Sequence, residues 1–244
     1  MDEANIFQGR HYKGAQCNEK YIEAEHAFLA SRSRPFCMKI HAEALPKDTE
    51  RLLPSLAEMP SVKNFYLAGG TALALQIGHR ISGDLDFFSE EAFDESLLIQ
   101  KLSGSYEFQI EKKSEQTVLS IISGVKVSFL GYPYPLLVPA NEALGVRVAD
   151  IRDIACMKID AASNRGTKRD FIDLYCIIRA AFSLSDILQF FEKKYSILHY
   201  NMMHIKKSLV YFEDAEGDPM PQMLQPVSWE EVKSFLEREA LRLS

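Results

Sequence analysis

Residues 65–89 read F-Y-L-A-G-G-T-A-L-A-L-Q-I-G-H-R-I-S-G-D-L-D-F-F-S and decide the fold. Phe65–Ala68 is short and apolar, which is typical of a buried strand. Gly69 and Gly70 then allow the backbone a turn that residues with a Cβ disfavour. Thr71 fits the N-cap of a helix that runs to Gly78. The N–H groups at this helix start and the Thr71 hydroxyl predict a site for an anion, most naturally a phosphate.

The glycine turn by itself is a weak signal. It lacks the G-x-x-x-x-G-K-[ST] of a P-loop and the third glycine of a dinucleotide-binding fingerprint, so neither motif applies.

A pair of aspartates, Asp84 and Asp86, leads into the second strand of this stretch. Side chains at i and i+2 of a strand share one face. The two carboxylates therefore repel each other unless a cation lies between them, and hard oxygen ligands suit Mg²⁺ carrying a triphosphate. An isolated D-x-D is more often a solvated strand edge, but the preceding glycine turn and the apolar neighbours favour a metal site.

The same stretch resembles the signature of the AbiEii/AbiGii-type nucleotidyltransferase toxins, within the DNA polymerase β-like nucleotidyltransferase superfamily. The match spans roughly residues 38–180 and resumes more faintly beyond them. The resemblance implies a set of residues that hold nucleotide phosphates, namely Gly69, Gly70, Thr71, Arg80 and Ser82. It also implies that Asp84 and Asp86 hold the catalytic metal, with Mg²⁺ as the cofactor.

A second block, A-C-M-K-I-D-A-A-S-N-R-G-T-K-R-D-F-I-D-L-Y, covers residues 155–175. Lys158 lies within an apolar helical stripe, so it either extends to the surface or points into the cleft. Asp170 and Asp173 share a face near a helix start, where helix-dipole complementation and pairing with Lys168 or Arg169 are the plain explanation.

This block resembles the second motif of the same family, in which a helical lysine and the aspartate after K-[KR] belong to the active site. The resemblance implies that Lys158 contacts phosphate and that Asp170 is a base or an acid of the metal shell. Asp173 would instead anchor its helix or order Lys158.

Three segments with period-two patterning, 106–112, 117–123 and 125–130, predict an antiparallel meander that extends the sheet. In the wider superfamily, a later strand of this kind carries a third carboxylate that activates the attacking hydroxyl. Here V-K-V-S-F-L places Ser128 at that position. Serine does not act as a metal carboxylate, so either another acid takes over or the protein is catalytically reduced.

Composition limits the remaining possibilities. The chain has 244 residues, 47% of them hydrophobic, and a formal net charge of −6, which argues against a generally basic nucleic-acid-binding surface. No run approaches a membrane span and no signal peptide opens the chain, so a cytoplasmic protein is expected. The four cysteines have no C-x-x-C spacing, which favours reduced thiols over a zinc site or a disulfide framework.

The helical patterns predict the organisation of the chain. Residues 1–37 are expected to be an appendage that is partly disordered or packs outside the core, residues 38–148 a nucleotidyltransferase-like α+β domain, and residues 149–244 a helical part that completes the active cleft. Helices are predicted at Asp48–Met59, where Pro54 would kink or split the helix, and from an Asp150 N-cap with Asp153 completing a capping box. Further helices are predicted at Ser183–Lys194, Tyr200–Phe212 and Ser228–Leu243.

The resulting prediction is an α+β nucleotidyltransferase fold, with a mixed sheet flanked by helices. The implied reaction is Mg²⁺-dependent transfer of a nucleoside monophosphate from an NTP to a hydroxyl acceptor on RNA, a protein or a small molecule. By family resemblance the protein would be the toxin of a toxin–antitoxin or phage-defence pair with a cognate antitoxin. The alternatives are a catalytically reduced module that binds nucleotide or a protein partner and, less favoured, a metal-dependent phosphohydrolase, which would normally add histidines.

Overall fold

The computed structural model describes residues 39–243. The predicted appendage at residues 1–37 lies outside the described residues, and the boundaries proposed for the other two parts stay predictions. No helix in residues 39–243 is long and apolar enough to cross a membrane.

A seven-stranded mixed sheet forms the centre of the described chain, in the order β3-β4-β5-β2-β1-β7-β6. Its strands are β1 Tyr66–Ala68, β2 Leu85–Ser89, β3 Phe108–Ser114, β4 Thr117–Ile122, β5 Val125–Gly131, β6 Asn141–Ala143 and β7 Val146–Val148. Helices accompany the sheet, so the predicted α+β class is confirmed.

The predicted meander is present as β3, β4 and β5, which pair antiparallel in sequence order. Gln116, Ser123 and Gly124 have positive φ angles of 52°, 48° and 83°, which are the left-handed conformations that tight hairpin turns need. Because β5 also pairs parallel to β2, the meander continues the sheet directly beside the aspartate pair.

Eight α-helices lie within residues 39–243. They are α1 Lys47–Ala57, α2 Gly69–Ile77, α3 Glu95–Ser103, α4 Ile151–Asn164, α5 Lys168–Ala180, α6 Leu184–Lys194, α7 Met202–Ser208 and α8 Trp229–Leu241. The last five follow the sheet, which confirms the predicted helical C-terminal part.

Two details of the predicted helices are wrong. Helix α1 continues through Pro54, so Pro54 does not split it, and the alternative of a kink stays a prediction. Asp150 is the N-cap of α4, as predicted, but Asp153 does not complete a capping box. The Asp153 carboxylate is instead fully buried, where it accepts hydrogen bonds from Lys194 Nζ at 2.6 Å and from the Leu137 N–H at 3.0 Å. Burial raises the pKa of Asp153 despite the nearby Lys194 ammonium.

Aromatic packing fixes the strands that carry the glycine turn and the aspartates. The rings of Phe87 on β2 and Phe129 on β5 stack at 5.3 Å, and Phe65 packs edge-on against Phe129 at 5.2 Å. All three side chains are buried. Because β1 and β2 are antiparallel, β1 ends where β2 begins, so the glycine turn and the aspartate pair meet at the same end of the sheet.

Candidate active site

The glycine turn approaches two functional side chains more closely than any other residue type would allow. Gly69 has a φ of 69°, and a Cβ there would lie 2.8 Å from Asp86 Oδ2. A Cβ on Gly70 would lie 2.1 Å from Arg80 Nη2. The missing side chains therefore leave room for a carboxylate and a guanidinium against the start of α2.

We expect Gly70→Ala to lower the unfolding free energy by roughly 1–3 kcal/mol, the usual cost of overpacking a filled site, because its Cβ must displace the Arg80 guanidinium. Urea unfolding followed by circular dichroism would measure the change. Gly217→Ala is the matched control, since a Cβ at Gly217 meets no atom within 4 Å. Equal stabilities of the two variants would contradict this account of Gly70.

Thr71 supports the aspartate pair from inside helix α2. The prediction that Thr71 is the N-cap is wrong, because α2 begins at Gly69 and Ala68 is its N-cap. The buried Thr71 hydroxyl instead donates to the Asp84 carbonyl oxygen at 2.5 Å, and Thr71 Oγ1 lies 2.9 Å from Ser82 Oγ. These contacts fix the backbone that leads into β2. Gly78 ends the helix with a φ of 60°, as predicted.

The two aspartates lie at the open start of β2. Asp86 is the second residue of the strand, is partly buried and pairs with Ala68 of β1, which directly precedes the glycine turn. Asp84 comes one residue before the strand, and its side chain is 54% exposed. The Asp86 carboxylate thus lies beside the start of α2, and the Asp84 carboxylate is accessible to solvent.

The position opposite Asp86 on the neighbouring strand is occupied by Ser128. Within residues 39–243, no group of three or more His, Cys, Asp or Glu side chains is arranged to hold a metal ion. A divalent cation at this end of the sheet would therefore have two hard carboxylates, those of Asp84 and Asp86, as its protein donors. This set fits Mg²⁺, which is usually bound through one or two carboxylates, with substrate phosphates and water as its other ligands.

Arg80 is buried rather than exposed to the solvent of the cleft. Its Nε and Nη2 donate to Asp173 Oδ1 and Oδ2 at 2.7 and 2.9 Å, a bidentate pair. His79 Nε2 lies 2.8 Å from the same Oδ1. Asp173, on α5, thereby holds the segment that connects α2 to β2, which agrees with the anchoring role considered for it.

Lys158 lies in the same buried cluster as Arg80. This cluster, the charge network, contains Arg80, Lys158, Asp170 and Asp173. Lys158 Nζ lies 2.9 Å from Asp170 Oδ1 and 2.7 Å from Asp173 Oδ2, and the residue is only 6% exposed. The alternative that Lys158 extends to the surface is therefore wrong. Burial alone would lower the pKa of Lys158, but the two carboxylates outweigh burial and raise it.

Both oxygens of Asp170 are occupied in the charge network. Besides Lys158, the Asp170 carboxylate accepts from Arg165 Nε at 3.0 Å and from the Thr167 hydroxyl at 2.6 Å. Burial alone would raise the pKa of Asp170, but Lys158 and Arg165 outweigh burial and hold it well below its usual range. The carboxylate is therefore ionised at neutral pH but is a weak proton acceptor. The catalytic roles of Lys158 and Asp170 stay predictions.

The segment Glu213–Gln225, whose glycine and prolines predict a loop, contacts the candidate site from outside. The Ile81 N–H donates to the Gln222 carbonyl at 2.8 Å, and the Leu224 N–H donates to the His79 carbonyl at 2.9 Å. Lys168 at the start of α5 donates to the Asp218 carbonyl at 2.6 Å. No short-range pattern marks these pairings, because they join residues about 50 to 140 positions apart.

Comparison with known proteins agrees with the class that this fold and site define, a nucleotidyltransferase. The sequence model of the family described as "Nucleotidyl transferase AbiEii toxin, Type IV TA system" matches residues 51–135 and 123–243. The chain therefore belongs to the AbiEii nucleotidyltransferase toxin family.

Individual proteins are also similar to this chain. An uncharacterized protein from Aquifex aeolicus (strain VF5) is 37% identical over 200 residues, which are 80% of this chain and 95% of that protein. The crystal structure of JHP933 from Helicobacter pylori is similar with a TM-score of 0.52 and 21% identity, over 84% of this chain and 93% of that one. The structure of MenT4, a nucleotidyltransferase toxin from Mycobacterium tuberculosis H37Rv, is similar with a TM-score of 0.51 and 13% identity, over 94% of this chain and 91% of that one. The two structures share the fold.

Proposed function

We propose that this protein catalyses Mg²⁺-dependent transfer of a nucleoside monophosphate from an NTP to a hydroxyl acceptor, with release of pyrophosphate. The observation that carries the proposal is the meeting of Asp86 with the Gly69–Gly70 turn, where a Cβ on Gly69 would lie 2.8 Å from the Asp86 carboxylate. A carboxylate that would bind a metal and backbone N–H groups that would bind a phosphate thus lie side by side, as nucleotidyl transfer requires.

Asp84 and Asp86 would hold the metal. A bound Mg²⁺ would neutralise charge on the triphosphate and polarise the phosphoryl group that is attacked. The residues of the turn, Gly69, Gly70 and Thr71, would face the phosphates with the backbone N–H groups at the start of α2. Ser82 lies 2.9 Å from Thr71 Oγ1, so its hydroxyl would join them as a phosphate contact.

Arg80 and Lys158 would keep their present ion pairs. They would contribute by holding neighbouring elements of the site in place and would not contact the phosphates directly. Both are buried and paired with Asp173, so they fix the segment between α2 and β2 relative to α4 and α5. Asp170 would order Lys158 and Arg165 in the same way.

The partner implied by the family is an antitoxin, and we propose that the protein is the toxin of a toxin–antitoxin or phage-defence pair. The acceptor would be a hydroxyl of RNA or of a protein. We expect a cytoplasmic location, because the proposed NTP substrate and these acceptors are found there.

The direct test is to incubate the purified protein with each α-labelled NTP, Mg²⁺, and either total RNA or cell lysate. Label in RNA or protein that depends on Mg²⁺ and on Asp86 would support the proposal. The second candidate function, a nucleotide-binding module without turnover, is favoured by Ser128 opposite Asp86. Binding of Mg²⁺–NTP without any labelled acceptor would support that candidate instead.

Asp170→Asn separates a positioning role from a role as general base. We expect the unfolding free energy to fall by roughly 1–3 kcal/mol, because hydrogen bonds to charged groups are lost. Turnover per folded molecule should fall by less than the roughly 10²-fold that loss of a general base costs. Chemical unfolding and the labelling assay measure the two quantities. A 10²-fold loss of turnover with unchanged stability would establish Asp170 as the base.

A further inference from the structure

The cationic side chains around the candidate site differ in how firmly other residues of the fold hold them. Arg80 and Lys158 are buried in ion pairs with Asp173, and Arg165 is held by Asp170. Lys168 donates to the carbonyls of Glu216 and Asp218, and its ammonium lies 5.2 Å from the centre of the Trp229 ring. These four cations are fixed by partners of the fold, so they are poorly placed to contact an incoming ligand directly.

Arg169 differs from these four. It lies in the first turn of α5, and its side chain is 52% exposed. Its Nη1 lies 3.8 Å from Asp84 Oδ2, beyond hydrogen-bond distance, and the Asp84 side chain is similarly exposed. An exposed ion pair at this distance adds little to stability and exchanges its partner readily.

Helix stability does not explain why an arginine occupies this position. The first turn of a helix favours acidic side chains and disfavours cations, because the N-terminal end of the helix dipole is positive. A guanidinium is, however, well suited to phosphate, because its planar fork can donate two parallel hydrogen bonds. Arg169 is exposed and lies beside Asp84, one of the two carboxylates predicted to hold the metal. This arrangement suits a ligand that carries both a metal ion and phosphate groups.

We propose that Arg169 is a triphosphate-binding residue that exchanges partners when the nucleotide binds. In the nucleotide-free chain Arg169 lies against Asp84 and partly neutralises it. When a divalent cation binds Asp84, the guanidinium and the cation repel each other, and Arg169 turns to the triphosphate oxygens. This proposal rests on the proposed nucleotidyltransferase function and names a phosphate contact that replaces the predicted direct contacts of Arg80 and Lys158.

The proposal predicts effects of opposite sign for metal and for phosphate. Arg169→Gln should bind Mn²⁺ alone up to about fivefold more tightly than the unmodified protein, the scale of one exposed ion pair, because the competing guanidinium is gone. It should bind inorganic tripolyphosphate with Mg²⁺ about tenfold more weakly, or worse, because a charge-assisted contact is lost. Arg169→Lys keeps the positive charge but lacks the planar fork of the guanidinium. Its affinities for the two ligands should therefore lie between those of the unmodified protein and those of Arg169→Gln.

Electron paramagnetic resonance of free Mn²⁺ and calorimetric titration with Mg²⁺–tripolyphosphate measure these affinities without any turnover. Tripolyphosphate supplies the phosphate chain of an NTP without a base, so the unidentified nucleotide does not matter. Arg179→Gln is the matched control, because Arg179 is an exposed arginine in the last turn of the same helix. This control should bind both ligands like the unmodified protein.

The proposal is overturned if Arg169→Gln binds tripolyphosphate as tightly as Arg179→Gln does. It is also overturned if Arg169→Gln weakens the binding of Mn²⁺ and tripolyphosphate alike, which would indicate a purely structural role. If the predicted shifts occur in a protein that labels no acceptor, Arg169 keeps its role and the transfer function fails. An unmodified protein that binds neither ligand overturns both proposals.

Discussion

We expect Asp86→Asn to lower the proposed nucleotidyl transfer by roughly 10³-fold or more, because metal-ion stabilisation of charge is worth several kcal/mol and each 1.36 kcal/mol is a factor of ten. Asn keeps the size of the side chain but loses the negative charge and one of its hard oxygen donors. The labelling assay measures the effect on transfer, and electron paramagnetic resonance should show weakened Mn²⁺ binding. The same variant should abolish growth inhibition if the protein acts as a toxin.

Two comparisons make the Asp86 result specific. The melting temperature of Asp86→Asn should stay close to that of the unmodified protein, because Asn has nearly the same size as Asp and the Asp86 side chain is only partly buried. Glu111→Gln, on the exposed edge strand β3, removes one carboxylate charge elsewhere in the sheet and should leave transfer unchanged. A folded Asp86→Asn protein with full activity would remove the argument for a metal site at this end of the sheet.

Asp173→Asn is expected to produce the largest loss of stability. Its carboxylate is fully buried and accepts from Arg80, Lys158 and His79. The substitution therefore removes the carboxylate that pairs with Arg80 and leaves Lys158 paired with Asp170 alone. Removal of one partner of a buried ion pair costs roughly 3–5 kcal/mol. Urea unfolding at pH 7 measures the loss. Asp214→Asn, at an exposed aspartate, should stay within about 0.5 kcal/mol of the unmodified protein.

A second substitution tests whether charge is the cause. Lys158→Met removes one of the cations that lose a carboxylate partner in Asp173→Asn, so the double variant should lose less stability than the two single variants added together. The coupling energy should exceed about 0.5 kcal/mol, because the two side chains are in direct contact. Strict additivity would show that shape, and not charge, explains the cost of Asp173→Asn.

The pH dependence of the Asp173 effect has a definite sign. Lys158, Arg80 and His79 outweigh burial and hold the pKa of Asp173 well below its usual value. A lowered folded-state pKa contributes stability that is fully present above the unfolded pKa, about 3.9 for aspartate, and is lost as the pH falls through the folded pKa. The difference in unfolding free energy between the unmodified protein and Asp173→Asn should thus be constant near neutral pH and shrink below about pH 4.

Much of the fold was predictable because its signals are local. The period-two patterning gave the meander at 106–130, and the apolar segment before Gly69 gave β1. The helix predicted at Ser183–Lys194 is present as α6, and its capping box joins two residues only three positions apart, Ser183 and Asp186. Signals of this kind depend on backbone geometry within one or two turns, which is the same in any fold that contains the element.

Thr71 and Asp153 show where local patterns fail. Threonine and aspartate commonly cap helices, yet here both side chains make contacts distant in sequence. Thr71 donates to the Asp84 carbonyl, and Asp153 accepts from Lys194. Local capping and long-range hydrogen bonding compete for the same oxygen atom. The result depends on which partner is near after folding, and the sequence carries no local sign of that.

The sequence by itself determined the family and the α+β class and predicted a short list of candidate site residues, because strand, turn and D-x-D lie within one contiguous stretch of 25 residues. Only the tertiary structure decided which of the charged residues are buried against each other. Arg80 and Asp173 are 93 positions apart and meet because α5 packs beside the end of α2. A buried charge is stable only when an opposite charge from another element reaches it, so its role is fixed by packing. Arg169 is left exposed beside Asp84 by that same packing.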